Sequence, residues 1–307
     1  MTTERWEPGA SPPGGDRLRL IPAGAGDAGP GTGWSRSRTA SGLRRSPAFL
    51  AAVAVLLFWI VDAVAWPAFA PHDPQAIAAD RTLEGPSAEH WFGTDDLGRD
   101  VFSRVLAGAS SVLIVAPVAA LLAVAVGVAV GLVSGYLGGV GDDVLMRLVD
   151  ALLAFPLVVG AVLALAVTGV SRLHLVIVIA LVLAPLTART VRAAVRSERG
   201  QEYVEAARLR GDSAPYIMVA EILPNLSALV VAETTTRLAA AIFAAATLSF
   251  LGLGIQQPSP DWGLSVALGR VFLQTAPWIV LFPALALATL VVATTTIADG
   301  LRERIEQ

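Results

Sequence analysis

The side chains in this sequence that could do chemistry are few, and several stand inside apolar stretches. Glu233 and Arg237 are four residues apart, so on a helix they share a face and can form an ion pair. Asp62 lies in another apolar stretch. Ionisable groups in hydrocarbon are costly and persist where they meet a partner or a polar path. For Glu233 and Arg237 two readings fit, a self-neutralising structural pair and a part of a translocation path. His72, His90 and His174 are the three histidines. They are scattered, without the tight spacing of metal ligands, so no metal site is assigned. Cysteine is absent, which removes thiol nucleophiles, thiolate ligands and disulfides. No Ser/His, His-Glu-x-x-His or paired-Asp arrangement suited to catalysis falls on an expected helix. All 22 basic residues are arginine. A Walker A loop needs its lysine on the β- and γ-phosphates, so this chain is not a standard P-loop ATPase. If ATP drives it, the ATPase is another polypeptide.

The elements that must position these groups are membrane helices. The 307 residues are 55% hydrophobic and 15% charged, where soluble domains carry about 25% charged residues. The apolar residues come in blocks near the roughly 20 residues that a spanning helix needs. Six such blocks run Ala48–Phe69, Ser111–Gly135, Ala151–Thr168, Leu173–Thr190, Leu226–Leu248 and Trp278–Ala298. The expected fold is an all-α polytopic membrane protein of six transmembrane helices, occupying residues 47–303. Residues 1–46, rich in Gly, Pro, Ser and Arg, read as a disordered tail, and 304–307 as a short C-terminal one. With the N-terminus inside, the inner segments carry 16 arginines and the outer ones five, a positive-inside bias. Both termini are then cytoplasmic, 70–110 is extracytoplasmic and 191–225 is a cytoplasmic loop. Trp66 and Trp278 fall at the outer interface, and Asp62 in the outer third of its span, where it reaches the interface or belongs to a translocation path. The arginine-rich tail suits anionic lipid at the inner face as well as it serves as a topology signal. Gly127, Gly131 and Gly135 recur every four residues and let another helix approach closely, at a pore, a subunit interface or within the bundle.

The loop from Glu202 to Asn225 reads as two short helices. Glu202 to Arg210 are good helix formers, and Gly211 interrupts them at a C-cap position. Asp212 or Ser213 can cap a second helix with Pro215 in its first turn, and Pro224 ends it. Tyr203, Ala206, Ala207 and Arg210 share one face of the first helix. Its two alanines make a flat platform, and Glu205 beside them offers a carboxylate to a partner's arginine.

Glu205-Ala206-Ala207, Gly211 four residues later, and Ile222-Leu223-Pro224 resemble the EAA loop of binding-protein-dependent ABC importer permeases. His90-Trp-Phe-Gly-Thr-Asp-Asp-Leu-Gly-Arg-Asp-Val-Phe-Ser-Arg104 resembles the outer segment of the dipeptide/oligopeptide/nickel group of these permeases. So do Gly135-Tyr-Leu-Gly-Gly139, Leu145-Met-Arg-Leu-Val-Asp150, Leu248-Ser-Phe-Leu-Gly-Leu-Gly254, Pro260-Asp-Trp-Gly263 and Asp299-Gly-Leu-Arg302. Within that group the pattern is similar to the C-type subunit. Three positions depart from it: Glu221 stands where His is usual, Ala245 where a carboxylate is, and Thr295 where an Asn is.

The resemblance implies a type I ABC importer permease in a bacterial inner membrane, one half of a path for peptides. It implies a related B-type permease as partner, two cytoplasmic ABC ATPases and an extracytoplasmic solute-binding protein. ATP and magnesium would sit on the ATPases, with no cofactor and no nucleic acid on this chain. In the family the loop couples ATPase closure to the membrane helices, which here assigns Tyr203, Glu205, Ala206, Ala207, Gly211, Ile222, Leu223 and Pro224 to coupling. Nickel or another small solute is the alternative cargo. A proton-coupled secondary transporter using Asp62 or Glu233 is the alternative of another class.

Overall fold

The computed structural model describes residues 47–305, which fold into helices and connecting loops; the N-terminal tail of 1–46 lies outside them. The long helices are α1 (Pro47–Phe69), α2 (Val101–Leu137), α5 (Arg172–Glu198), α9 (Ser227–Phe250) and α11 (Trp278–Ile305). Each is long and apolar enough to cross a membrane. A sixth span is made by α3 (Gly139–Ala154) and α4 (Leu157–Thr168) if the bent pair is one crossing, and the short α10 (Trp262–Gly269) precedes α11.

That pair corrects the expected unbroken helix over 151–168. The two pieces meet at 92°. Pro156 has no N–H to continue the ladder and pushes the residue before it out of the helical region. Phe155 accordingly lies at ψ 132° and Pro156 at ψ 129°. With 12 residues, α4 is about 18 Å long and cannot cross the roughly 30 Å hydrocarbon core alone.

Helix α2 also starts earlier than its apolar block. Asp100 is its N-cap, accepting from the Ser103 N–H at 2.7 Å, so residues 101–110 are helical instead of belonging to the outer loop. Helix α5 likewise runs on through Glu198, which shortens the expected loop of 191–225 by eight residues. The C-terminal tail of 304–307 is overtaken in part, since α11 continues to Ile305.

The bundle is built around α2 and α5. In the apolar window of α5, 61% of residues are buried inside the chain, against 17% for α1. What lets α2 and α5 touch is the glycine stripe. A Cβ on Gly127 would stand 2.6 Å from the Thr187 Cβ, one on Gly131 2.7 Å from the Val191 Cβ, and one on Gly135 2.8 Å from the Val195 Cβ. The backbone carbonyls of Ala184, Ala188 and Arg192 come equally close, so the three glycines seat α5 directly on α2. A separate apolar cluster caps the loop end, joining Val128, Leu132 and Tyr136 of α2 to Val191 and Val195 of α5 and to the loop helices.

Candidate functional site

The loop end holds the candidate site. Helix α6 (Glu202–Leu209) is followed by Gly211 at φ +84°, the left-handed conformation that glycine adopts without strain. Gly211 N–H donates to the Arg208 carbonyl at 3.0 Å and Asp212 N–H to the Ala207 carbonyl at 3.1 Å, the paired bonds of a Schellman cap. The chain then returns through α7 (Ala214–Tyr216), a π-helical turn (Ile217–Ile222) and α8 (Leu223–Asn225). Pro224 does not end this second helix, as expected, but lies inside α8 just after the π turn. The wider turn, in which Leu223 N–H reaches back to the Met218 carbonyl, accommodates a ring that would clash in a regular helix.

The elbow is anchored from below. Val204, Ala207, Ile217 and Ile222 are fully buried against α2 and α5. This corrects the expected platform, since Ala207 is 0% exposed and faces inward. The accessible face is Glu202, Glu205, Ala206 and Leu209, at i, i+3, i+4 and i+7, with Leu209 85% exposed. The helical spacing allowed either face, and Val204 was the missed signal: an aliphatic residue one position from Glu205 pulls its own side into the core. Tyr203 is partly buried, and its hydroxyl donates to Glu198 at 2.7 Å. Burial, reinforced by the Glu198 carboxylate, pushes the phenol up to about 12. Arg210 reaches Asp212 at 2.8 Å and Glu221 at 2.7 Å, so Glu221 ties the two arms of the elbow.

A second feature at the same end carried no sequence signal. Asp142, in the first turn of α3, is 1% exposed and accepts a bidentate pair of bonds from Arg192 of α5, Nε at 2.6 Å and Nη2 at 2.7 Å. Ser134 of α2 and Arg196 of α5 also donate to it. One carboxylate thereby joins α2, α3 and α5. Asp142 and its arginines lie 50 and 54 residues apart, too far for any local pattern.

Within the bundle, Glu233 is 4% exposed, and its Oε2 accepts from Arg237 at 2.9 Å and from Thr187 at 3.1 Å. Thr187 is the residue against Gly127, so this pair locks α9 onto the α2–α5 seam. Asp62 is 3% exposed and its Oδ2 has no hydrogen-bond partner among the described residues. It does not reach an interface as expected but points into the chain.

At the opposite end, residues 70–100 fold back over the helices. Asp95 accepts from the backbone N–H groups of Leu97 and Arg99 and from the Arg99 side chain at 2.6 Å. Phe92 stacks on Phe282 of α11 with ring centroids 3.7 Å apart, and the Trp278 indole donates to the Thr94 carbonyl. Gly98 is obligatory at φ +73°, since a Cβ would fall 1.8 Å from the Ala78 carbonyl oxygen. The Gly-Thr-Asp-Asp-Leu-Gly-Arg-Asp run orders this loop.

Residues 127–307 match the binding-protein-dependent transport system inner membrane component family. The dipeptide transport system permease protein DppC of Alkalihalophilus pseudofirmus is 41% identical over 224 residues, 73% of this chain and 74% of that protein. The glutathione transport system permease protein GsiD of Escherichia coli is 38% identical over 275 residues, 89% of this chain and 88% of that one. GsiD of Shigella boydii is equally similar.

Proposed function

Because the chain belongs to the family of binding-protein-dependent transport inner-membrane components, a multi-pass membrane family, we propose that it is one of two permease subunits of an ATP-driven importer of short peptides. The cargo follows from relatives named for a dipeptide and for glutathione, itself a tripeptide. The related permease, two ATPases on the cytoplasmic side and an external solute-binding protein complete the assembly. This chain carries the path and the lever and leaves the ATP chemistry to the other subunits.

The observation that carries the coupling role is the elbow itself. Glu202, Glu205, Ala206 and Leu209 form an exposed face on a helix whose other face is buried against α2 and α5. An ATPase cleft that takes Leu209 and pairs Glu205 with a basic side chain would move α6, and the buried face would pass that motion to both central helices. ATP shifts such an equilibrium only by favouring one arrangement over the other. Gly211, Ile222, Leu223 and Pro224 set the shape of the elbow, while Tyr203 and Ala207 hold it down. Glu233 and Arg237 serve as a packing pair instead of lining the path, because Oε2 of Glu233 is already taken by Arg237 and Thr187.

Co-purification from mild detergent tests this. The unaltered chain should bring down ATPase subunits and a second permease, and Glu205→Arg should lose the ATPase while keeping the permease. Recovery of the chain alone, with proton-driven uptake in vesicles that lack any ATPase, would overturn the reading.

A further inference from the structure

Two histidines that the sequence keeps 18 positions apart meet at the N-terminus of α2. The rings of His72 and His90 lie with centroids 4.8 Å apart at an interplanar angle of 39°. One ligand atom from each, together with a carboxylate oxygen of Glu89, falls within a mutual 4.8 Å. We propose that His72, His90 and Glu89 form a site for a borderline divalent transition ion of the zinc type.

Three observations carry this beyond proximity. First, His90 is oriented in advance. Its Nδ1 lies 2.9 Å from Oδ1 of Asp100, whose Oδ2 already accepts the Ser103 N–H of the α2 cap. A capping carboxylate is an acceptor, so His90 Nδ1 donates to it and Nε2 is left with its lone pair. A carboxylate behind one imidazole nitrogen is the support that metal-bound histidines receive. His90 and Asp100 are buried, and the His90 backbone is fixed by bonds in both directions with Ser87.

Second, His72 Nδ1 is a buried polar atom with no hydrogen-bond partner among the described residues. The nearest carboxylate oxygen, Oδ2 of Asp100, is 3.9 Å away, outside hydrogen-bond range. An unpaired buried nitrogen is costly, and a metal ion satisfies it. Third, the site has a way in. The His72 side chain is 34% exposed, and Glu89, 59% exposed, is held among the described residues by an ion pair with Arg81. Exposed ion pairs of that kind are weak and exchange readily.

Tetrahedral zinc with bonds of about 2.0–2.1 Å sets its ligands about 3.3 Å apart, so binding draws the three groups together by roughly 1 Å. Two imidazoles and one carboxylate suit zinc or cobalt better than calcium or magnesium, which prefer all-oxygen sets. Three protein ligands leave a fourth position for water. The ion would pin the segment leaving α1 to the loop that opens α2.

The test uses the full chain, purified in detergent without a polyhistidine tag and titrated with cobalt or zinc chloride. The expected result is one equivalent of cobalt with the visible absorption of a tetrahedral complex, displaced by zinc. His72→Gln and His90→Gln should lose it, and His174→Gln should keep it. Asp100→Asn retains a helix cap yet should weaken binding about 10- to 100-fold, since only the support of His90 changes. For variants that fail to fold, the unaltered chain supplies the second readout, in which zinc should protect the accessible His72, but not His174, from diethyl pyrocarbonate. Absence of the cobalt spectrum, equal protection of His72 and His174, or retention of the ion in the His90→Gln variant would each overturn the proposal.

Discussion

Asp142 is the residue on which the loop end depends most, because its carboxylate is buried and accepts from three side chains on two other helices. Asp142→Asn keeps the size but removes the charge, so Arg192 and Arg196 lose their charged partner. The expected cost is about 2 kcal/mol, read as a lowered melting temperature in detergent. Tyr203 offers a pH test. Its hydroxyl is raised to about 12 by burial and by Glu198, against about 10 for a free phenol. A raised value means its stabilisation is complete below about pH 10 and is lost as pH rises through 12. Tyrosinate absorbance should therefore show a step near pH 12 that Tyr203→Phe removes. Glu205 and Gly211 could be singled out in the sequence, because a helix, its cap and the residues beside it are local. Asp142 could not, and neither could the meeting of His72 with His90, since only the folded chain brings such distant positions together.

At the scale of elements, the glycine stripe makes the sharpest prediction. At Gly131 a methyl group would stand 2.7 Å from the Val191 Cβ and 2.8 Å from the Ala188 carbonyl oxygen. Since one of these neighbours is backbone, Gly131→Ala must push α2 and α5 apart, at about 1–3 kcal/mol, and Gly131→Leu should prevent folding; thermal melts of the purified variants would show both. Gly211 meets no such neighbour. There Gly211→Ala costs about 1–2 kcal/mol through backbone strain alone, and hydrogen exchange should report faster opening confined to the elbow. The spacing of the glycines was plain in the sequence, whereas the helix they face was not. Apolar block length located the spans and missed the break at Pro156, because hydropathy is blind to where a hydrogen-bond ladder stops. It also missed the extensions of α2, α5 and α11, whose terminal turns carry the polar residues that end an apolar block.

For the whole molecule, the large apolar surface left uncovered on α1 and α4 is what lipid or a second permease would cover; Val64 and Val167 are 82% and 86% exposed. If a related permease is the partner, co-expression should raise the melting temperature of the pair above that of this chain alone. Native mass spectrometry should then find one copy of each. A homodimer of this chain with no gain on co-expression would contradict the heterodimeric assembly.

The sequence by itself determined that this protein lives in a membrane, that it has no lysine for a Walker A loop, and that a helical elbow with a glycine cap sits between its fourth and fifth apolar blocks. Those properties follow from composition, from block length and from residues within one or two helical turns of each other. Tertiary structure decided which face of α6 remains open, because Val204 and Ala207 had a core to enter. It decided that Glu233 accepts bonds from two helices and that Asp62 stays buried with one oxygen unpaired among the described residues. It also assembled Asp142 with its arginines and His72 with His90. Each of these depends on contacts between distant parts of the chain, and those exist only once the helices have packed.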